Sequence, residues 1–323
     1  YEMVLKAGDM ERCLPKLAWH LEEPRVGQSY PNYYAAQLAS KFVKVVLSGS
    51  GGDELFGGYP FFKRDYFLHA AAEAGGGDAA AVAGVFQGAI LAEQRQSHPA
   101  WEELCGFTPS WIQPWMITLE AVRPLFSESV TGMLRTYDPV AAIAAEIDPA
   151  MVRGRHPLDI AQYTWSKTML EGQILTWGGD RVDMANSMES RPAFLDHHLA
   201  EYATRIPPCL RIRQGIEKWV LREAMRGVLP DVLYHREKFA FMAPPSGTGA
   251  DTHAAVGRMA AHWLEPDRVR AADLFDANRV AAFLETSATE RDPVRVRRAD
   301  IILNHLVQLH VLHETTAETA AAI

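Results

Sequence analysis

The sequence predicts an α/β fold: a partial, open parallel sheet joined to a large, mostly helical portion. Two observations predict it. The short apolar run Val45-Val46-Leu47 halts at Ser48-Gly49-Ser50-Gly51-Gly52, with Asp53 and Glu54 immediately after. Such a run suits a buried parallel strand covered on both faces, and the end of such a strand is where open α/β sheets bind ligands. The second observation is the rest of the 323 residues, where apolar side chains recur mainly at helical spacing.

Taken in order, residues 1–8 alternate weakly and are expected to form a strand ending at Gly8. Asp9 is expected to cap a helix through Leu14, Leu17 and Leu21, with Pro15 near its first turn and Glu22-Glu23-Pro24 at its end. A helix following Tyr30-Pro31-Asn32 and reaching about Ser40 then delivers the chain into the strand. Residues 61–150 read as an Ala-rich helical lobe broken at Gly75-Gly76-Gly77, whose aromatics near 107–115 suit either a core or a substrate channel. Asp159 is expected to cap a helix carrying Tyr163, Lys167, Leu170 and Ile174, stopped by Gly178-Gly179. The charged groups Arg181, Glu189, Arg191 and Asp196 suit an ion-pair network, since unpaired internal charge is costly. His197 and His198 are adjacent and so do not form an i,i+4 metal pair; surface or capping roles fit them better. Lys218 falls near the start of a helix containing Trp219, Leu221 and Met225, where a cation opposes the helix dipole and suits an external anion, although a solvated surface lysine fits the position equally. The last stretch is helical, with an apolar stripe at Ile301, Ile302, Leu306, Leu309 and Leu312 and an Ala/Thr/Glu tail.

Composition bounds the function. Apolar residues make up 48% and charged residues 22%, which is ordinary globular material, and a formal net charge of -8 argues against a nucleic-acid partner. Cys13, Cys105 and Cys209 lack CxxC spacing, which argues against structural zinc and a disulfide framework and leads to an expected cytoplasmic location. No apolar run reaches membrane-spanning length, so no membrane partner is expected, and a homo-oligomer is left open. The opening Tyr1-Glu2-Met3-Val4-Leu5 reads like the middle of a domain, which suggests a fragment or processed chain.

The glycine stretch is neither GxGxxG nor GxxxxGK. Its glycines let the main chain turn tightly and approach an anion, and its carboxylates offer hard oxygens to a divalent cation. A site for Mg²⁺ and phosphate is the leading reading, beside the plainer one of a tight surface turn.

Three ordered strings carry a family resemblance: LSGSGGDELFGGY at 47–59, DRVDMANSMESRPAFLD at 180–196, and the run from Gly215 through Lys218 to Pro245. They resemble the motifs of the asparagine synthetase superfamily, whose synthetase domain is of the ATP-pyrophosphatase type. The resemblance implies an ATP- and Mg²⁺-dependent ligase that activates a carboxylate as its AMP ester and passes it to ammonia or an amine. It places Ser48, Gly49, Gly51 and Gly52 beside pyrophosphate, gives Asp53 a share of the Mg²⁺, and puts Lys218 at the reaction centre. The expected division is 1–60 as the carboxyl-terminal part of an α/β nucleotide-binding core, 61–157 as a helical lobe, and 158–323 as a helical continuation of the synthetase domain lining the site. Departures are Ser50 where the family carries Glu, Pro192-Ala193 where its proline stands one position later, and Ala240 for a glycine. With Glu lost at Ser50, Glu171 and Glu189 are the candidates for a replacement acid. The family's SGGxDS phosphate loop does not occur in these residues, nor does its glutaminase domain. Both are therefore expected as partners, and the chain alone is expected to be inactive. Amide formation in specialised metabolism, as in β-lactam or peptide-cyclising synthetases, and a non-catalytic scaffold are the alternatives.

Overall fold

The structure, a computed structural model, describes residues 1–24, 26–70, 96–236 and 250–322. Residues 1–6 form no strand; the expected alternation is too short and has no partner strand among the described residues. Helix α1 (Asp9–Leu21) follows, with Gly8 as its N-cap and Asp9 accepting from the Lys6 N–H at 2.5 Å. It buries Cys13, Leu14, Leu17, Ala18 and Leu21, the i, i+1, i+4 stripe of a helix with one covered face. Pro15 lies in the interior of α1 and not in its first turn. It sits on the exposed face, away from the buried stripe. Helix α2 (Val26–Ala39) starts earlier than expected and packs on α1.

Strand β1 (Val45–Ser48) pairs in parallel with β2 (Glu189–Pro192), the register matching Val45 with Glu189 and Ser48 with Pro192. Among the described residues these are the whole sheet, an open parallel pair within a mostly helical chain. The expectation of a strand covered on both faces is not met. Val45 is 41% and Leu47 79% exposed, because no described element lies over that face.

Two apolar clusters organise the helices. The first joins α1 and α2 to the carboxyl-terminal helices α15 (Ala250–Trp263), α16 (Pro266–Ala272), α17 (Ala277–Thr289) and α18 (Pro293–Ala322). The buried line on α18 runs through Leu306, Val307, His310 and Val311. The second cluster gathers α4 (Pro60–His69), α5 (Pro99–Cys105), α6 (Gln113–Val122), α8 (Pro139–Ala145) and α9 (Pro157–Trp165) around the layer that contains Phe62, Trp101, Trp111 and Trp165; the glycine-loop helix α3 (Gly52–Phe56) contacts α9 from outside this cluster, and α7 (Glu128–Met133) buries none of its residues. Trp101, Phe107 and Trp111 are buried there as core, while Phe107 also borders a pocket with His69, Glu102 and Gln113, and Trp115 is half-buried. The Trp111 ring meets Trp101 and Trp165 edge-on, and its N–H donates to Thr164 at 2.9 Å.

His156, not Asp159, caps α9, accepting from the Leu158 N–H at 3.1 Å. Beyond α9 the chain winds as a π-helix over Ser166–Asp180 and continues into α10 (Arg181–Met184), so Gly178-Gly179 does not stop it. The short helices α11 (His197–Ala203), α12 (Pro208–Arg211), α13 (Trp219–Ala224) and α14 (Asp231–Tyr234) follow β2. Asp196 caps α11, while His197 and His198 are exposed on it. The anticipated ion-pair network divides: Arg181 bonds the Leu21 carbonyl near Glu22 and Glu23, and Arg191 pairs with Glu189. No helix among the described residues is long and apolar enough to cross a membrane.

Candidate functional site

The parallel register explains how motifs far apart in sequence meet. Pairing Ser48 with Pro192 carries the turn after β1 onto Ala193–Leu195 after β2. Gly51 takes φ +98°, a left-handed conformation suited to glycine, and a Cβ there would press into Leu195 and come within 3.2 Å of the Phe194 Cβ. At Gly49 a Cβ would meet nothing within 4 Å, so this side of the turn is open to approach.

Glu54 has left the ligand-facing role that its charge suggests. It is buried, accepts the Gly51 N–H at 3.0 Å and the Tyr59 hydroxyl at 2.7 Å, and so holds the turn closed. Burial, reinforced by the Glu54 charge, pushes the Tyr59 phenol well above its usual range and keeps it a donor. The Gln162 amide donates to the Glu54 carbonyl oxygen and accepts from Arg211, which in turn pairs with Asp159. A buried polar chain therefore ties α3 to α9 and α12.

Asp53 points the other way. Its Oδ1 lies 3.0 Å from the Lys218 Nζ, two groups 165 residues apart in sequence. Gly57 takes φ +72° at the end of α3, and the Gly58 N–H donates to the Asp53 carbonyl at 2.8 Å. A Cβ on Gly58 would overlap the Asp53 carboxylate and stand 2.9 Å from its Cα. The second glycine pair is thus what lets Asp53 fold back toward Lys218. Lys218 is the N-cap of α13, with φ +52°.

Around Lys218 the structure adds residues that sequence reasoning missed. Glu217 is buried, accepting from Lys63 at 3.0 Å and Arg222 at 2.7 Å. Burial alone would raise its carboxyl, yet Lys63 and Arg222 hold it below its usual value. An acid adjoining Lys218 was a visible signal for Glu217; Lys63 and Gln162 carried none.

Ser48, Gly49, Ser50, Gly51, Gly52, Asp53 and Lys218 are brought to one end of the strand pair. Glu189 is not. It stands opposite Val45 at the amino end of β1, half-buried and bonded to Arg191 at 2.7 Å, which lowers its pKa through that hydrogen bond. Three strand steps at about 3.3 Å each separate that level from Ser48. Glu171 lies in the π-helical segment and is exposed. Lys238, Phe241 and Pro244-Pro245 lie outside the described residues.

No group of three His, Cys, Asp or Glu among the described residues is arranged to hold a metal by itself. A single Asp53 carboxylate suits Mg²⁺, which takes one or two carboxylates and completes its shell with phosphate oxygens and water. The open side at Gly49 and the nearby Lys218 cation suit a phosphate chain. The donor set therefore fits a metal that arrives with a nucleotide.

An open parallel sheet in a mostly helical chain, with a glycine turn and a carboxylate at the carboxyl end of its strand, is the architecture of the ATP-pyrophosphatase type. A family model described as asparagine synthase matches residues 1–314, and the chain belongs to that family. It is similar to a putative glutamine-hydrolyzing asparagine synthetase of Mycobacterium tuberculosis (strain ATCC 25618 / H37Rv), at 30% identity over 264 residues, 75% of this chain and 36% of that protein. Similarity to glutamine-hydrolyzing asparagine synthetase 1 of Bacillus subtilis (strain 168) is 32% over 235 residues, 72% of this chain and 36% of that one. The amidase chyE of Penicillium rubens is 33% identical over 159 residues, 47% of this chain and 23% of that protein. The chain thus spans about a third of the length of the curated relatives it matches.

Proposed function

We propose that this chain supplies the carboxyl-terminal part of an ATP-dependent amide-forming ligase that activates a carboxylate as its acyl adenylate and transfers it to ammonia or an amine. The observation that carries the reading is the Asp53–Lys218 pair, a hard oxygen and a cation joined at 3.0 Å beside the glycine turn. Mg²⁺ with ATP supplies neutralised phosphates and a pyrophosphate leaving group when bound. Asp53 would hold the metal. Lys218 would then place its charge where negative charge develops on the reacting acyl and phosphoryl oxygens. The turn amides, kept in place through Glu54 and Tyr59, would line the pyrophosphate.

The remaining phosphate contacts would come from a separate strand and loop seated beside β1, whose exposed Val45 and Leu47 offer an apolar face for covering. The relatives whose names specify glutamine hydrolysis support a glutaminase domain as the ammonia source.

Ser50 favours a second reading, a specialised amide product. A serine hydroxyl is not a competent general base near neutral pH without an activating group, and Glu189 is not at its end of the sheet. The full-length enzyme should therefore make little asparagine from aspartate and ammonia, and Ser50→Glu should raise that yield, measured as product by mass spectrometry. Efficient asparagine formation by the unaltered enzyme, with no gain in Ser50→Glu, would return the chain to ordinary asparagine synthesis. Absence of any carboxylate-dependent pyrophosphate exchange by the full-length protein would leave the scaffold reading in place of both.

A further inference from the structure

We propose that Glu217 and Lys63 form a positioning pair that sets where the Lys218 ammonium stands relative to Asp53. The inference rests on Lys218 being a cation of the proposed site. Lys218 has a left-handed backbone, which a residue bearing a Cβ holds only when its surroundings impose it. The surroundings here are specific. Arg213 and Ile216 exchange both backbone hydrogen bonds, at 3.0 and 2.9 Å, around Gln214 and Gly215, both with positive φ, as in a tight two-residue turn. Lys63 Nζ donates to the Gly215 carbonyl at 2.9 Å and to Glu217 Oε2 at 3.0 Å. Arg222 donates to the Glu217 carbonyl at 3.1 Å and to its Oε1 at 2.7 Å. The residue preceding Lys218 is therefore fastened through its side chain and its carbonyl.

Two consequences follow for Lys218. Both oxygens of the Glu217 carboxylate are already engaged by cations, so the carboxylate nearest in sequence does not capture the Lys218 ammonium, which is left for Asp53. Lys63 also lies on α4, which starts directly after the Gly57-Gly58 turn carrying Asp53. Asp53, the glycine turn, α4, Lys63, Glu217 and Lys218 thus close a ring whose two non-covalent links are the Lys63–Glu217 and Lys218–Asp53 ion pairs. Loosening one link frees the geometry of the other. Both pairs are largely shielded from solvent, where charge-assisted hydrogen bonds keep their directional strength.

The test is trace acylation of lysines in the full-length protein without nucleotide, read peptide by peptide by mass spectrometry with the exposed Lys41 as internal reference. Wild-type Lys218 should react slowly. Glu217→Gln should speed Lys218 acylation by about tenfold, the ratio that one charge-assisted hydrogen bond is worth, with Lys41 unchanged. Lys63→Gln leaves Glu217 bonded to Arg222 and serves if Glu217→Gln does not fold; it should shift Lys218 in the same direction, and the double variant should add little to either single one. In turnover, both variants should lower kcat more than the KM for ATP. Unchanged Lys218 acylation in folded Glu217→Gln or Lys63→Gln overturns the positioning role, even where turnover falls. Unchanged turnover in Lys218→Ala would instead remove the catalytic reading of Lys218 and leave the acylation result standing.

Discussion

Gly58 and Asp53 compete for one volume. The Asp53 carboxylate lies where a Gly58 Cβ would be, so the carboxylate reaches Lys218 only because residue 58 has no side chain. Gly58→Ala should therefore swing Asp53 away and weaken the Mg²⁺ dependence of activity in the full-length enzyme, much as Asp53→Ala would. A metal titration matching wild type in both variants would refute that role for Asp53. Lys218 has a different cost structure. A cation aimed at developing charge contributes mainly in the transition state, so Lys218→Ala should cost about 3 kcal/mol, on the order of a hundredfold in turnover, with the melting temperature little changed. Stopped or steady-state kinetics beside a thermal melt would separate the two effects. Equal losses in both would make Lys218 a structural residue.

At the level of elements, local pattern and tertiary partners disagree in instructive places. Glycine normally ends a helix, yet Gly178 and Gly179 are carried within the π-helical segment, where a Cβ on Gly178 would crowd the Gln173 carbonyl at 3.0 Å. Carbonyls at that end find partners on α2, Trp177 accepting from Ser29 at 3.2 Å and Gly178 from the Asn32 amide at 2.8 Å. Helix α18 shows the opposite case, a titratable group placed in a stripe of apolar residues. His310 is fully buried, and neither ring nitrogen has a hydrogen-bond partner. Burial, with His313 and Arg268 adding repulsion, brings its pKa from 6.5 to about 4. Glu314, at 3.9 Å from Nδ1, is the acid facing it. Since the folded form binds this proton less readily than the unfolded chain, His310 leaves stability undiminished above pH 6.5 and subtracts from it as pH falls toward about 4. His310→Leu should flatten that part of the stability profile. Urea midpoints taken between pH 7 and pH 4 that fall equally in both proteins would place the acid sensitivity elsewhere.

Across the whole molecule, the glycine turn, Asp53 and Lys218 would make one side of the proposed phosphate site, and the 323 residues contain no SGGxDS string to make the other. Precise alignment of nucleophile, phosphorus and leaving group requires groups on both sides. The isolated chain should therefore fail to exchange pyrophosphate into ATP in the presence of any carboxylate, while the full-length protein should do so. Exchange by the purified 323-residue chain at the full-length rate would show that these residues suffice.

The open parallel pairing, the glycine turn at its end and the clustering of Ser48 to Asp53 were legible in sequence because they depend on local physics: an apolar run, residues free to adopt positive φ, and carboxylates at fixed offsets. Lys218 was legible through its string of neighbours, although the left-handed backbone that carries it was not. What only the tertiary structure decided is how each charge is spent. Asp53 and Glu54 are adjacent acids, yet one faces Lys218 and the other is consumed by Gly51 and Tyr59. Glu189 lies in a site-like string but at the far end of the register. Trp101, Phe107 and Trp111 became core, and the apolar β1 was left partly exposed. In each case the deciding quantity is which distant group lies within hydrogen-bonding or van der Waals reach, and contacts such as the 165-residue link between Asp53 and Lys218 exist only once the chain has folded.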